Sequence, residues 1–186
     1  MSDLHLHPLA LDGLFSVEHK AHGDARGRFA RLFCEGSLGA LGAPFHVRQI
    51  NHSHTVGEGS VRGLHYQLGA QPEAKLITCL RGDVWDVAVD LRAGSPTFLH
   101  WHAEHLRAGD GRSLLIPAGF AHGFQVLSAE AELLYLHSAD YAPGVEAGLS
   151  VHDPRLAIRW PLAVKNLSAR DAGHPWLDPH FTGVHP

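Results

Sequence analysis

Ala74-Lys-Leu-Ile-Thr-Cys-Leu-Arg-Gly-Asp-Val-Trp-Asp-Val-Ala-Val-Asp-Leu91 decides the fold class. Two apolar runs of strand length flank Arg81-Gly82-Asp83, and that punctuation predicts a hairpin joining strands at 74–81 and 84–91. Outward from this pair the same spacing repeats. Strands are expected at 61–67, 97–106, 113–116, 121–127 and 131–138, with Pro117 to Phe120 as a turn. Upstream, 14–18, 28–33 and 47–52 also read as strands, and 35–41 as a short helix. Short strands at close spacing with no helical period between them predict an all-β, antiparallel sandwich or barrel.

Length and composition agree with one domain. The chain has 186 residues, 45% hydrophobic and 18% charged, enough to bury a core without staples and too apolar for a disordered chain. We expect N-terminal strands over 1–50, a barrel core over 51–140 and a C-terminal cover over 141–186. In that cover Ser168 reads as a helix N-cap, with Asp171 at the capping-box position. No apolar run approaches a membrane span, and nothing near Met1 suggests export, so a cytoplasmic protein is expected. Cys34 and Cys79 have no metal-ligand spacing and are read as buried free thiols. A net charge of −4 argues against a general nucleic-acid binder, although 12 Arg against 3 Lys leave room for local anion sites.

The chemistry is densest in Ser60-Val-Arg-Gly-Leu-His-Tyr-Gln67. Arg62 offers a fork of donors suited to a carboxylate or phosphate, and His65 can exchange a proton near neutral pH. In a regular strand these two side chains lie on opposite faces. A bulge at Gly63 would bring both to one cavity. Taken alone, the eight residues are equally compatible with an Arg and a His on a solvated strand. The 17 histidines are mostly scattered singly, as surface or hydrogen-bonded residues are.

Gly111-Arg-Ser-Leu-Leu-Ile-Pro-Ala-Gly-Phe-Ala-His122 resembles the second motif of the cupins, and Gly63-Leu-His65-x-Gln67…Gly82 stands where their first motif falls. The fold implied is a cupin-type jelly-roll barrel with short peripheral C-terminal helices. Metal-binding cupins supply His-x-His, a Glu and a later His. Here Gln67 replaces the second His and Lys75 stands near the Glu position. An ammonium repels a divalent cation, so a metal-free and cofactor-free site is expected.

Gln49-Ile-Asn51-His-Ser, Arg62-Gly-Leu-His65-Tyr-Gln67, Lys75-Leu, Gly82-Asp-Val-Trp-Asp86-Val-Ala-Val-Asp90, Ile116-Pro-Ala-Gly-Phe-Ala-His122-Gly-Phe, Asp153-Pro and Ile158-Arg-Trp-Pro161, in that order, resemble the dTDP-4-dehydrorhamnose 3,5-epimerase family. The resemblance implies inversion at C3, C5 or both of a nucleotide-linked 4-keto-6-deoxy sugar, by proton transfer through an enolate. It implies His65 as base, Asp171 orienting it, Lys75 facing the enolate and Tyr135 as acid on the opposite face. Arg26, Gln49 and Arg62 fit positions for diphosphate and nucleoside contacts, with Asn51, Gln67, Asp86, His122 and Tyr141 in the same cavity. It also implies a homodimer with strand exchange. Arg31 stands where the family places a Glu that helps read thymine. A guanidinium cannot accept the N3-H, so a base other than thymine is conceivable. A cupin ketoisomerase and a non-catalytic nucleotide-sugar binder are the alternatives. Retention of both His65 and Tyr135 argues against the second.

Overall fold

The computed structural model describes residues 3–68 and 72–186. Its strands are β1 (Leu4–Pro8), β2 (Phe15–His19), β3 (Ala21–Asp24), β4 (Gly27–Ala30), β5 (Gln49–Val56), β6 (Val61–Gln67), β7 (Lys75–Arg81), β8 (Asp83–Asp90), β9 (Trp101–Arg107), β10 (Arg112–Ile116), β11 (Phe120–Val126), β12 (Glu130–His137) and β13 (Glu146–Gly148). Two short helices, α1 (Glu35–Ala40) and α2 (Ala169–Ala172), complete it. One sheet has the order β1-β2-β10-β7-β12-β5, the other β13-β6-β11-β8-β9, and β3-β4 form a separate ribbon. The sheets are antiparallel and face each other as a jelly-roll barrel, the all-β class expected from the sequence.

The predicted hairpin at Arg81-Gly82-Asp83 is overturned. The turn is present, but β7 pairs with β10 and β12 while β8 pairs with β9 and β11, so the chain passes from one sheet to the other. Gly82 makes this corner at φ +73, and a Cβ there would lie 2.0 Å from the Glu130 carbonyl oxygen. Only glycine fits so tight a corner, and corners between packed sheets are made where strands switch sheets.

Alternate residues explain why these strands are apolar nearly throughout. Ile77, Cys79, Leu114 and Leu133 of the first sheet point inward against Val84, Ala88, Phe120 and Phe124 of the second. The intervening Leu76, Leu115 and Leu136 point outward, where Leu38 of α1 and Phe45 cover them. On the outer face of the second sheet Val87, Val89 and Ala121 are covered by Leu149, Leu156 and Leu177 of the C-terminal segment. The central strands of both sheets are therefore covered on both faces, and each fully buried Leu or Phe contributes about 1.5–3 kcal/mol.

At the end of β8, fully buried Asp90 accepts from Arg92, Ser95 and Thr97. Burial pushes its carboxyl up, but these donors outweigh it and hold the group at about 2. A depressed carboxyl stabilises the fold above its unfolded value of 3.8 and loses that contribution as pH falls through about 2.

Several boundaries differ from expectation. β1 is an additional strand whose apolar Leu4 and Leu6 are separated by His5, and it pairs with β2 along the sheet edge. β9 starts at Trp101 rather than near residue 97, because Pro96 and the left-handed Leu99, φ 61, make a turn before it. The strand expected over 28–33 is the four-residue β4, which pairs only with β3.

Candidate active site

A cavity of about 530 Å³ opens between the sheets. Arg62 and His65 of β6 line one wall, and Tyr135 of β12 with Lys75 of β7 line the other. The expected bulge is what unites Arg62 and His65. His65 is opposite His122 in the register, but Arg62 is opposite Phe124, so Gly63 and Leu64 together face the single residue Gly123. Gly63 has φ +123, and a Cβ on it would lie 2.6 Å from the Gly123 Cα.

His65 is held from behind. Its Nε2 lies 2.8 Å from Oδ1 of buried Asp171, whose Oδ2 accepts from the Gly63 N–H at 3.4 Å. Ser168 caps α2 by accepting from the Asp171 N–H, so the Asp171 carboxylate is left for His65 instead of the cap. Burial lowers the His65 pKa below 6.5, against the opposing pull of the Asp171 hydrogen bond and charge. A neutral imidazole that donates from Nε2 to a carboxylate presents a basic Nδ1 on its other side. That is a proton acceptor with a fixed tautomer.

Across the cavity, burial pushes the Tyr135 phenol well up, and the Asp86 carboxylate adds to the effect. Tyr135 therefore remains a proton donor at neutral pH. Its ring lies edge-on to His122, with centroids 5.9 Å apart, and flat against His137 at 5.8 Å. His122 Nε2 lies 3.0 Å from both Asp86 oxygens. Asp86 sits behind His122 and does not itself line the cavity, which corrects its expected contact role.

Lys75 is buried and its Nζ lies 2.6 Å from Glu73 Oε2. The other Glu73 oxygen lies 2.8 Å from His137 Nδ1, and His137 Nε2 faces Asn51 Nδ2 at 3.3 Å. Burial pushes the Glu73 carboxyl up, but His137 and the Lys75 charge outweigh it and hold it at about 2. Lys75 is thus a tethered ammonium in the wall beside Tyr135. Glu73 and His137 were not anticipated. His137 follows Tyr135 by two residues, so strand periodicity places it on the same face, whereas Glu73 precedes β7 and carries no periodic signal.

Gln49, Asn51 and Tyr141 line the cavity, Gln49 Oε1 accepting from the Tyr141 N–H. Gln67 Oε1 accepts from the Ala142 N–H and fixes the rim segment. Arg62 Nε donates to Thr55 Oγ1, leaving the guanidinium at the cavity mouth. Arg26 and Arg31 are corrections. Arg26 pairs with Asp24 in the projecting β3-β4 ribbon, and Arg31 pairs with Asp3 at 3.0 Å. Neither lines this cavity.

The arrangement can remove a proton on one side of a bound ring, stabilise negative charge on an oxygen and return a proton from the other side. Comparison with known proteins agrees. The family model for dTDP-4-dehydrorhamnose 3,5-epimerase matches residues 8–179. A dTDP-4-dehydrorhamnose 3,5-epimerase of Pseudomonas aeruginosa is 45% identical over 155 residues, 83% of this chain and 84% of the relative. A dTDP-4-dehydrorhamnose 3-epimerase of Streptomyces niveus is 39% identical over 169 residues, 90% of this chain and 81% of the relative. Among solved structures, a dTDP-6-deoxy-D-glucose-3,5-epimerase of Legionella pneumophila in complex with dTDP-4-keto-L-rhamnose superposes with a TM-score of 0.90 at 39% identity. It covers 98% of this chain and 99% of that one.

Proposed function

The chain belongs to the dTDP-4-dehydrorhamnose 3,5-epimerase family, and on that premise we propose how its residues invert a 4-keto-6-deoxy sugar carried on a nucleoside diphosphate. The observation that carries the reading is the placement of His65 and Tyr135 on opposing sheets of one cavity. Inversion needs an acceptor on one face of the ring and a donor on the other, and two facing walls supply both.

His65 Nδ1 takes the proton α to the C4 ketone while Nε2 donates to Asp171. The carboxylate fixes the tautomer and stabilises the imidazolium that forms. Lys75 stabilises the C4 oxygen more as an enolate than as a ketone, which lowers the barrier to forming it. Tyr135, kept protonated by burial, delivers a proton to the opposite face. Arg62 at the mouth suits the diphosphate. At the expected cupin metal position stand Gln67, engaged with Ala142, and Lys75, paired with Glu73, so every step above uses only side chains.

The nucleotide proposed is deoxythymidine diphosphate, the one in the relatives' names. The expectation of a different base rested on Arg31 facing it, and Arg31 is tied to Asp3 outside the cavity. Incubation with dTDP-4-keto-6-deoxyglucose followed by proton NMR should give a product inverted at C3, C5 or both. A product whose carbonyl has moved would instead identify a ketoisomerase.

A homodimer is part of the proposal. The β3-β4 ribbon projects with all of β3 exposed and Phe29 68% exposed, a ribbon suited to packing on a second copy. Light scattering at micromolar concentration should give twice the chain mass, and a monomer would contradict it. A cytoplasmic location is supported by the free Cys34 and Cys79. Among the described residues no helix is long and apolar enough to cross a membrane.

A further inference from the structure

Behind His65, on the side away from Lys75 and Tyr135, a second imidazole meets the same carboxylate oxygen. His174 Nε2 lies 3.5 Å from Asp171 Oδ1, and the His65 and His174 rings are edge-to-face with centroids 5.5 Å apart. His174 Nε2 is buried without a hydrogen-bond partner. Its ring is fixed against Gly148, where a Cβ would lie 2.3 Å from the ring. One ligand atom from each of His65, Asp171 and His174 lies within 4.8 Å of the other two. Two imidazole nitrogens and a carboxylate are the donor set of a zinc site, which needs ligands at about 2.0–2.2 Å from the ion.

We propose that His65, Asp171 and His174 form an inhibitory site for a divalent cation of zinc-like chemistry, reached from the neighbouring cavity of about 600 Å³ that His174 lines. The charges around it favour a cation. Asp171 and Glu146 are acidic, and the single facing Arg170 is paired to Glu146 at 2.6 Å. Binding at His65 Nε2 requires the proton there to move to Nδ1. The lone pair that would accept the substrate proton is then gone, and the base is switched off. The ion sits behind the ring, so substrate still enters. The inference rests on His65 being the base, but the metal site itself does not.

The test starts from chelator-treated full-length protein, whose turnover is expected to be unimpaired. Added Zn²⁺ should lower kcat with KM unchanged, more strongly as pH rises because protons compete for the imidazoles, and chelator should reverse it. Zn²⁺ affinity is also measured directly by competition with a chromophoric chelator, a readout that survives even if no epimerase activity is found. His174→Ala should weaken both affinity and inhibition by at least about tenfold. His174→Phe should do the same while keeping a ring against Gly148. His102→Ala, on β9 and paired with Glu104 outside the proposed site, should change neither. Equal Zn²⁺ binding and inhibition in the His174 variants, or competition with substrate, would overturn the site.

Discussion

Asp171→Asn is expected to lower turnover by about four orders of magnitude while leaving the fold intact. An amide in place of the carboxylate favours the wrong His65 tautomer and no longer stabilises the imidazolium, and the same change in Ser-His-Asp hydrolases costs about 10⁴. The Gly63 N–H on Oδ2 and the Ser168 cap on the backbone both survive the substitution, so thermal unfolding should barely move. In the native enzyme burial keeps His65 below 6.5, so the acid limb of its pH–rate profile should fall below that value. A variant that retained more than a tenth of native turnover would mean that Asp171 does not orient the base.

Gly63→Ala should be the most damaging single methyl in the β6-β11 pairing. The added Cβ would stand 2.6 Å from Gly123 Cα and 2.8 Å from the His122 carbonyl oxygen, on a residue with φ +123. Backbone strain costs about 1–3 kcal/mol and overpacking about 1–3 kcal/mol more. A loss of about 2–6 kcal/mol, centred near 4, corresponds to roughly 10 °C in Tm for a chain of this length. Gly144→Ala is the control, since nothing lies within 4 Å of its added Cβ. Activity should fall further than stability alone explains, because the bulge is what places Arg62 and His65 on one cavity. Equal Tm for the two variants would show that the bulge has room to relax.

These two residues also mark what the sequence made legible. Strand positions were readable because β7, β8, β11 and β12 are predominantly apolar runs of strand length separated by short polar or glycine-containing breaks. Pairing was not. The Arg81-Gly82-Asp83 turn looks the same locally whether its strands pair or part, and the partners of β7 and β8 come from residues 101–137. The Gly63 bulge could be anticipated because alternation alone would have separated two chemically suited side chains. His65, Lys75, Tyr135 and Asp171 were identified through the order of family-like motifs, and the fold brings all four to the two walls or directly behind them. Glu73 and His174 act through other side chains from loop and helix-end positions, where no periodicity points to them. Arg26 in the β3-β4 ribbon and Arg31 just after it were assigned by motif position alone, and in this chain they pair with Asp24 and Asp3 instead of lining the cavity.

The central claim is that His65 and Tyr135 serve opposite faces of the sugar ring, and labelling in D2O tests it most directly. With His65→Ala, no enolate forms, so recovered substrate should carry no deuterium and no inverted product should appear. With Tyr135→Phe, His65 still forms the enolate, and its imidazolium can reprotonate the face it left. Recovered substrate should then carry deuterium at C3 or C5 by proton NMR and mass spectrometry, with little inverted product. Inversion by His65→Ala, or unlabelled substrate with inversion intact in Tyr135→Phe, would contradict the assignment.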